Sequence, residues 1–124
     1  MMTTTEMLVL DAAATIVALT PGEVAEARCH DDVVLVDVRE ADERVETGSI
    51  PGARHIPRGV LELCADRLDP ARRIIVYCDD GTRSALAGAT LRTLGYPDVA
   101  HLRGGILAWT ASGLPTTGRR PLPY

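Results

Sequence analysis

The sequence predicts an α/β fold in which a parallel sheet carries helices on both faces. Short β-branched runs alternate with helical patterns from about residue 20 to 112, the signature of strand-helix-strand crossovers. Two of the runs, 33–36 and 74–77, are continuously apolar or aromatic, as strands covered on both faces must be. No repeat, low-complexity block or internal linker interrupts the pattern, so the 124 residues read as one domain.

Thr20-Pro21 is a helix N-cap followed by a first-turn proline, opening a helix of about eight residues that ends near Cys29. The run Val33-Val34-Leu35-Val36 follows as a buried strand, bounded by acids on both sides. A short helical pattern over 40–45 closes at Gly48, and Ser49-Ile50-Pro51-Gly52 turns the chain into a second buried strand over 53–56. Residues 58–67 carry Val60, Leu61 and Leu63 at helical positions until Asp69-Pro70 ends them. Ile74-Ile75-Val76-Tyr77 is the strongest strand signal. A helix over 84–94, rich in alanine and capped by Gly95, leads to a strand over 99–102 and a last helix over 105–111. The last twelve residues hold three prolines and the pair Arg119-Arg120 and read as surface-hugging or mobile. Residues 1–11 have no clear assignment.

Composition excludes several classes of function. Thirteen arginines, no lysine and 17 acids leave a net charge of −4, and there is no Phe, one Trp and three Tyr. A chain so charged and so poor in stacking platforms is not built for nucleic acid. The apolar N-terminus is interrupted by Glu6 and Asp11 and has no basic residue before it, which fits neither a signal peptide nor a membrane span. Cysteines at 29, 64 and 78 are odd in number and share no two-residue spacing, so they spell neither a disulfide framework nor a zinc knuckle. Reduced thiols and a cytoplasmic location are the expectation.

Cys78 stands apart from the other two. It ends the strongest strand, where open parallel sheets bind ligands, and heads the loop Cys78-Asp79-Asp80-Gly81-Thr82-Arg83 that opens into a helix. The amides of residues 79 to 83 can turn inward as an anion nest at the positive end of the helix dipole. The anion can be the thiolate itself, made a nucleophile by the helix N-terminus and a nearby guanidinium. Cys29 and Cys64 lie on helical stretches with no comparable setting and read as idle thiols. His30, His55 and His101 share no metal-ligand spacing, and a preformed thiolate needs no general base, so no histidine is assigned a catalytic role. Trp109, at helical spacing from Ile106, reads as core.

The residues resemble a known family. Asp37-Val38-Arg39-Glu40, Gly48-Ser49-Ile50-Pro51-Gly52-Ala53, Ile56-Pro57-Arg58-Gly59, Tyr77-Cys78-Asp79-Asp80-Gly81-Thr82-Arg83-Ser84, Gly95-Tyr96, and Leu102-Arg103-Gly104-Gly105 with Ala108-Trp109 are similar, in order and spacing, to a single-domain rhodanese. The resemblance covers about residues 16 to 115, leaving an N-terminal extension over 1–15 and a Pro/Arg tail over 116–124. It implies a five-stranded parallel sheet and a sulfurtransferase in which Cys78 takes a sulfane sulfur from a donor such as thiosulfate, becomes a persulfide, and passes the sulfur to cyanide or a thiol. No metal or organic cofactor is implied, and neither nucleic acid nor membrane is an expected partner. The alternatives are a persulfide carrier fed by a protein donor and a noncatalytic module that kept the fold.

The six residues from Cys78 to Arg83 are the loop length of sulfur transfer in this superfamily; the related tyrosine phosphatases have one more. Asp79, Asp80, Gly81, Thr82, Arg83 and Ser84 are then expected to bind substrate. Arg83 would hold loop carbonyls or pair with an anion, and Thr82 and Ser84 would offer hydroxyls to the persulfide. Arg58 would line the pocket mouth or simply sit on the surface. Asp37 and Arg39 would brace the loop, unless Asp37 merely caps a helix.

Two departures from the family pattern stand out. Asp79-Asp80 replaces neutral or basic residues, and carboxylates roughly 7 Å from the sulfur would disfavour a dianionic donor and favour a neutral, cationic or protein one. Ser49 stands where histidine is common, a change expected to concern a turn and not the chemistry.

Overall fold

The computed structural model describes residues 1–118; the tail pair Arg119-Arg120 lies outside the described residues. Five parallel strands form one sheet: β1 (Val17–Leu19), β2 (Val33–Asp37), β3 (Arg54–His55), β4 (Arg73–Tyr77) and β5 (Val99–Leu102), in the order β1-β5-β4-β2-β3. β4 is therefore central. Its side chains alternate between two cores: Ile74 and Val76 face one side, Ile75 and Tyr77 the other. All four are buried.

The helices are α1 (Thr4–Thr15), α2 (Pro21–Ala27), α3 (Ala41–Thr47), α4 (Leu61–Cys64), α5 (Thr82–Thr93) and α6 (Gly105–Ala111). α4 and α5 cover the first face, where Leu61, Ala87 and Leu91 meet Val34, Val36, Ile74, Val76 and Val99. α2 and α6 cover the second, where Val24, Ile106 and Trp109 meet Leu35, Ile75, Tyr77 and Leu102. Thr20 accepts the Glu23 amide at 3.2 Å while the Glu23 carboxylate accepts the Thr20 amide at 3.0 Å, the reciprocal cap that starts α2. Trp109 is fully buried, and its indole N–H donates to the Pro115 carbonyl at 2.8 Å.

Two expectations need correction, and one unassigned stretch takes a structure. The strand expected over 53–56 as a buried element is two residues at the sheet edge, with Arg54 exposed. Pro51 and Pro57 bracket it, and a proline has no amide to extend a ladder. The helical stretch over 58–67 is broken into a 3-10 turn (Arg58–Val60), α4 and a second 3-10 turn (Ala65–Arg67); Gly59 and β-branched Val60 are weak helix formers. The unassigned N-terminus is α1, which packs on α5, followed by edge strand β1. Its start was legible: Thr3 accepts the Glu6 amide at 3.1 Å and Glu6 accepts the Thr3 amide at 3.0 Å, a capping box spaced by two residues. Among the described residues no helix is long and apolar enough to cross a membrane.

Candidate functional site

The chain leaves β4 at Tyr77, runs through Cys78 and a short loop, and enters α5 at Thr82. Gly81 makes the turn at φ +99°, in the left-handed region that a side chain resists. A Cβ there would also stand 3.2 Å from the Gly104 amide nitrogen. The geometry aims two amides at the cysteine: Gly81 N–H donates to Cys78 Sγ at 3.2 Å and Ser84 N–H at 3.3 Å. With the dipole of α5 behind them, these donors favour negative charge on sulfur. Cys78 itself is fully buried.

The cradle differs from the expected set of amides 79 to 83. The Thr82 amide is taken by Asp80 Oδ1 at 3.0 Å, and Ser84, one position beyond that set, supplies the second donor to sulfur. The other side of the loop is held by α6, whose first amides donate into it: Ile106 N–H to the Cys78 carbonyl at 2.9 Å and Leu107 N–H to the Asp79 carbonyl at 3.1 Å. The end of one helix thus shapes the approach to another.

Arg39 ties the loop to the rest of the domain. It is fully buried beside fully buried Asp37, which accepts from its Nη2 at 3.0 Å, its Nε at 3.1 Å and its amide at 2.9 Å. The remaining guanidinium donors reach the Gly48 carbonyl at 2.6 Å, Thr47 Oγ1 at 2.6 Å and Asp79 Oδ1 at 3.3 Å. A planar fork with five donors suits this array and an ammonium does not. Although burial opposes its charge most strongly, the hydrogen bonds and field of Asp37 outweigh that and hold Arg39 above its ordinary range. Asp37 is therefore a brace and not a helix cap; the N-cap of α3 is Glu40.

Arg83 is placed differently from expectation. Its two terminal nitrogens donate to Glu43 at 2.7 and 2.6 Å, and Asp79 Oδ2 lies 3.4 Å away. It locks the start of α5 to α3 and does not hold loop carbonyls, because the bidentate carboxylate on α3 is the stronger acceptor. That hydrogen-bonded pair holds Glu43 down to about 2, well below the usual carboxylate range, and holds Arg83 up. Burial and the Glu43 carboxylate push Asp79 the other way, against the pull of Arg39.

The two loop acids are thus not equivalent. Asp79 points into the arginine network, whereas Asp80 turns back, accepting from the Thr82 amide and from Thr82 Oγ1 at 2.7 Å, with Oδ1 only 4.0 Å from Cys78 Sγ. Its hydrogen bonds from the Thr82 amide and hydroxyl keep Asp80 below its ordinary range and so ionised at neutral pH. The expectation that both carboxylates stand roughly 7 Å from the sulfur is corrected for Asp80. Thr82, too, serves Asp80 and not the sulfur.

Arg58 lies elsewhere. Its guanidinium donates to Glu62 at 2.6 Å and to Thr90 at 3.1 Å. Thr90 is six residues beyond Ser84 on α5, about 9 Å along the helix axis, so Arg58 braces the 3-10 turn against the flank of α5 and does not line the sulfur site. Ser49 is buried in a short antiparallel bridge with Thr117, amide to carbonyl at 2.8 Å in both directions. Cys29 is exposed and Cys64 packs at the edge of the first core.

Sequence reading missed His101. It is buried on β5, directly beside Val76 of the central strand, and its Nδ1 lies 3.1 Å from Ser84 Oγ, which in turn lies 3.5 Å from Cys78 Sγ. The usable signal was its place near the C-terminal end of the strand next to β4, on the end of the sheet where Cys78 sits. Burial, with Arg103 nearby, holds His101 below its ordinary range, so it is neutral at pH 7.

The comparisons with known proteins agree with this geometry. The sequence profile of the Rhodanese-like domain matches residues 20–112. A sulfurtransferase from Allochromatium vinosum is 40% identical over 85 residues, 68% of this chain and 78% of that protein. The polysulfide-sulfur transferase homodimer of Wolinella succinogenes superposes with a TM-score of 0.83 at 32% identity, over 96% of this chain and 90% of that one. A Rhodopseudomonas palustris protein of unknown function, described as a possible tyrosine phosphatase, gives a TM-score of 0.84 at 31% identity, over 94% of this chain and 96% of that one. A central-strand cysteine under a six-residue loop, on a five-stranded parallel sheet that matches these relatives, makes the chain a member of the rhodanese-like family of sulfurtransferases and sulfur carriers.

Proposed function

We propose that the protein is a sulfurtransferase working through a Cys78 persulfide. The carrying observation is the buried Cys78 sulfur receiving two amide N–H bonds at the start of α5. The thiolate attacks the sulfane sulfur of a donor such as thiosulfate, forming the S–S bond of a persulfide as the donor's S–S bond breaks and sulfite leaves with the electron pair. A thiophile, cyanide or a thiol, then attacks the outer sulfur, and the Cys78 thiolate is the leaving group. Amides that stabilise the thiolate also stabilise the persulfide anion, so both half-reactions use the same cradle. No cofactor enters either step.

The decisive measurement is intact mass after incubation with thiosulfate, beside a Cys78→Ser control. One added sulfur is expected, absent in the control and removed by cyanide with formation of thiocyanate. Unmodified protein with Cys78 reduced would rule thiosulfate out as donor.

A second reading, a carrier loaded by a protein persulfide, is favoured by Asp80. An ionised carboxylate 4.0 Å from sulfur opposes both the thiolate and a dianionic donor, by about 1–2 kcal/mol at an effective dielectric of ~40–80. Asp80→Asn keeps an acceptor for Thr82 while removing the charge. It is expected to lower KM for thiosulfate several-fold, more at low ionic strength. An unchanged or higher KM would remove Asp80 from donor selection.

A further inference from the structure

We infer that His101 is a positioning residue that donates a hydrogen bond from Nδ1 to Ser84 and thereby aims the Ser84 hydroxyl at the Cys78 thiolate. The argument is one of donor supply. Ser84 Oγ has one proton and three neighbours: His101 Nδ1 at 3.1 Å, the Gly81 carbonyl at 3.1 Å and Cys78 Sγ at 3.5 Å. A carbonyl and a thiolate can only accept. If the imidazole also accepted, the hydroxyl proton would turn to it and the thiolate would face an oxygen lone pair. With Nδ1 as donor, the hydroxyl proton is free for sulfur, and accepting from the imidazole makes the hydroxyl a stronger donor.

With the sulfur a thiol, the Ser84 hydroxyl donates to the Gly81 carbonyl at 3.1 Å; that carbonyl also accepts the Ala85 amide at 3.3 Å, so it is not left unpaired when the hydroxyl proton turns to the thiolate. The thiolate then receives three hydrogen bonds, from the Gly81 amide, the Ser84 amide and the Ser84 hydroxyl. The groups around His101 leave this assignment undisturbed. Its partners across the sheet, Val76 on β4 and Ala18 on β1, are uncharged. The Arg103 charge disfavours a second proton on the ring. On α1, which packs on α5, Glu6 is engaged at its own helix start and Asp11 is exposed.

The inference rests on Cys78 being the nucleophile of the proposed function, but its test reads the sulfur directly. Thiolate absorbance against pH is followed in a Cys29→Ser, Cys64→Ser background, so that a failure of thiosulfate labelling and a failure of this inference are separate results. His101→Phe is expected to move the curve to higher pH by about half to one unit, leaving about three- to tenfold less thiolate below its midpoint. His101→Asn, whose amide N–H falls where Nδ1 lies, restores most of it. His101→Gln, whose amide reaches instead to the position of Nε2, shifts the curve as Phe does, and the Asn–Gln contrast decides the matter if the Phe variant does not fold. In a Ser84→Ala background none of these changes adds a further shift. A curve unmoved or moved to lower pH by His101→Gln, or the same shift with Ser84 absent, overturns the inference.

Discussion

Replacing Arg39 by Met is expected to destabilise the domain by about 3–5 kcal/mol, the range for breaking a buried ion pair. The substitution keeps aliphatic bulk and removes every guanidinium donor that Arg39 gives to Asp37, Gly48, Thr47 and Asp79. Asp37, fully buried, is left as a carboxylate with the residue-39 amide and the half-buried Arg44, whose Nε lies 3.4 Å from Oδ2. The check is urea denaturation of the variant. Removing the buried charge as well, in Asp37→Asn/Arg39→Met, is expected to recover part of the loss, because the cost lies in a buried carboxylate left with Arg44 as its counter-charge more than in the missing attraction. A loss below about 1 kcal/mol in the single variant would mean that the network is ornamental to stability. Sulfur transfer should fall further than stability alone explains, since Arg39 also reaches Asp79 in the active loop.

Gly105→Ala is expected to be as damaging by a different route. Gly105 has φ +63°, and a Cβ on it would stand 2.2 Å from the Asp79 carbonyl oxygen and 2.5 Å from that of Cys78. Both obstacles are backbone, so neither can swing aside. The left-handed conformation costs an alanine roughly 1–2 kcal/mol, and displacing the loop adds about 1–3 kcal/mol. The loop should move away from α6, breaking the amide bonds of Ile106 and Leu107 to the Cys78 and Asp79 carbonyls. Loss of persulfide formation with a lowered melting temperature is the expected outcome. A variant with unchanged melting and full labelling by thiosulfate would show that α6 does not shape the cradle.

Much of this molecule was written locally. Continuous apolar runs mark β2 and β4 because both faces of a central strand are covered, and β5 and α6 fall where 99–102 and 105–111 were read. Cys78 was legible for the same local reason: it follows the strongest strand and precedes a glycine turn and a helix. Among the strands, what failed locally was short or proline-bracketed. β1 has three residues and β3 two, too few for periodicity to speak, and each forms only because a neighbouring strand offers a ladder.

The sequence by itself determined the alternation of strands and helices, the place of Cys78 at the end of the central strand and the direction of the helix dipole behind it, since these depend on residues within about a dozen positions of one another. Tertiary structure alone decided which side chains meet. Arg83 and Glu43 are 40 residues apart, as are Arg39 and Asp79, and Ser84 and His101 are 17 apart. Spacing along the chain carries no sign of such pairs; they follow from the strand order, which sets β2 and β5 on either side of β4 and brings the ends of all three to one edge of the sheet. The same cause gave the two loop acids unequal roles: Asp79 turns to Arg39 beyond β2 and to Arg83 on α5, and Asp80 turns back to Thr82 and the sulfur.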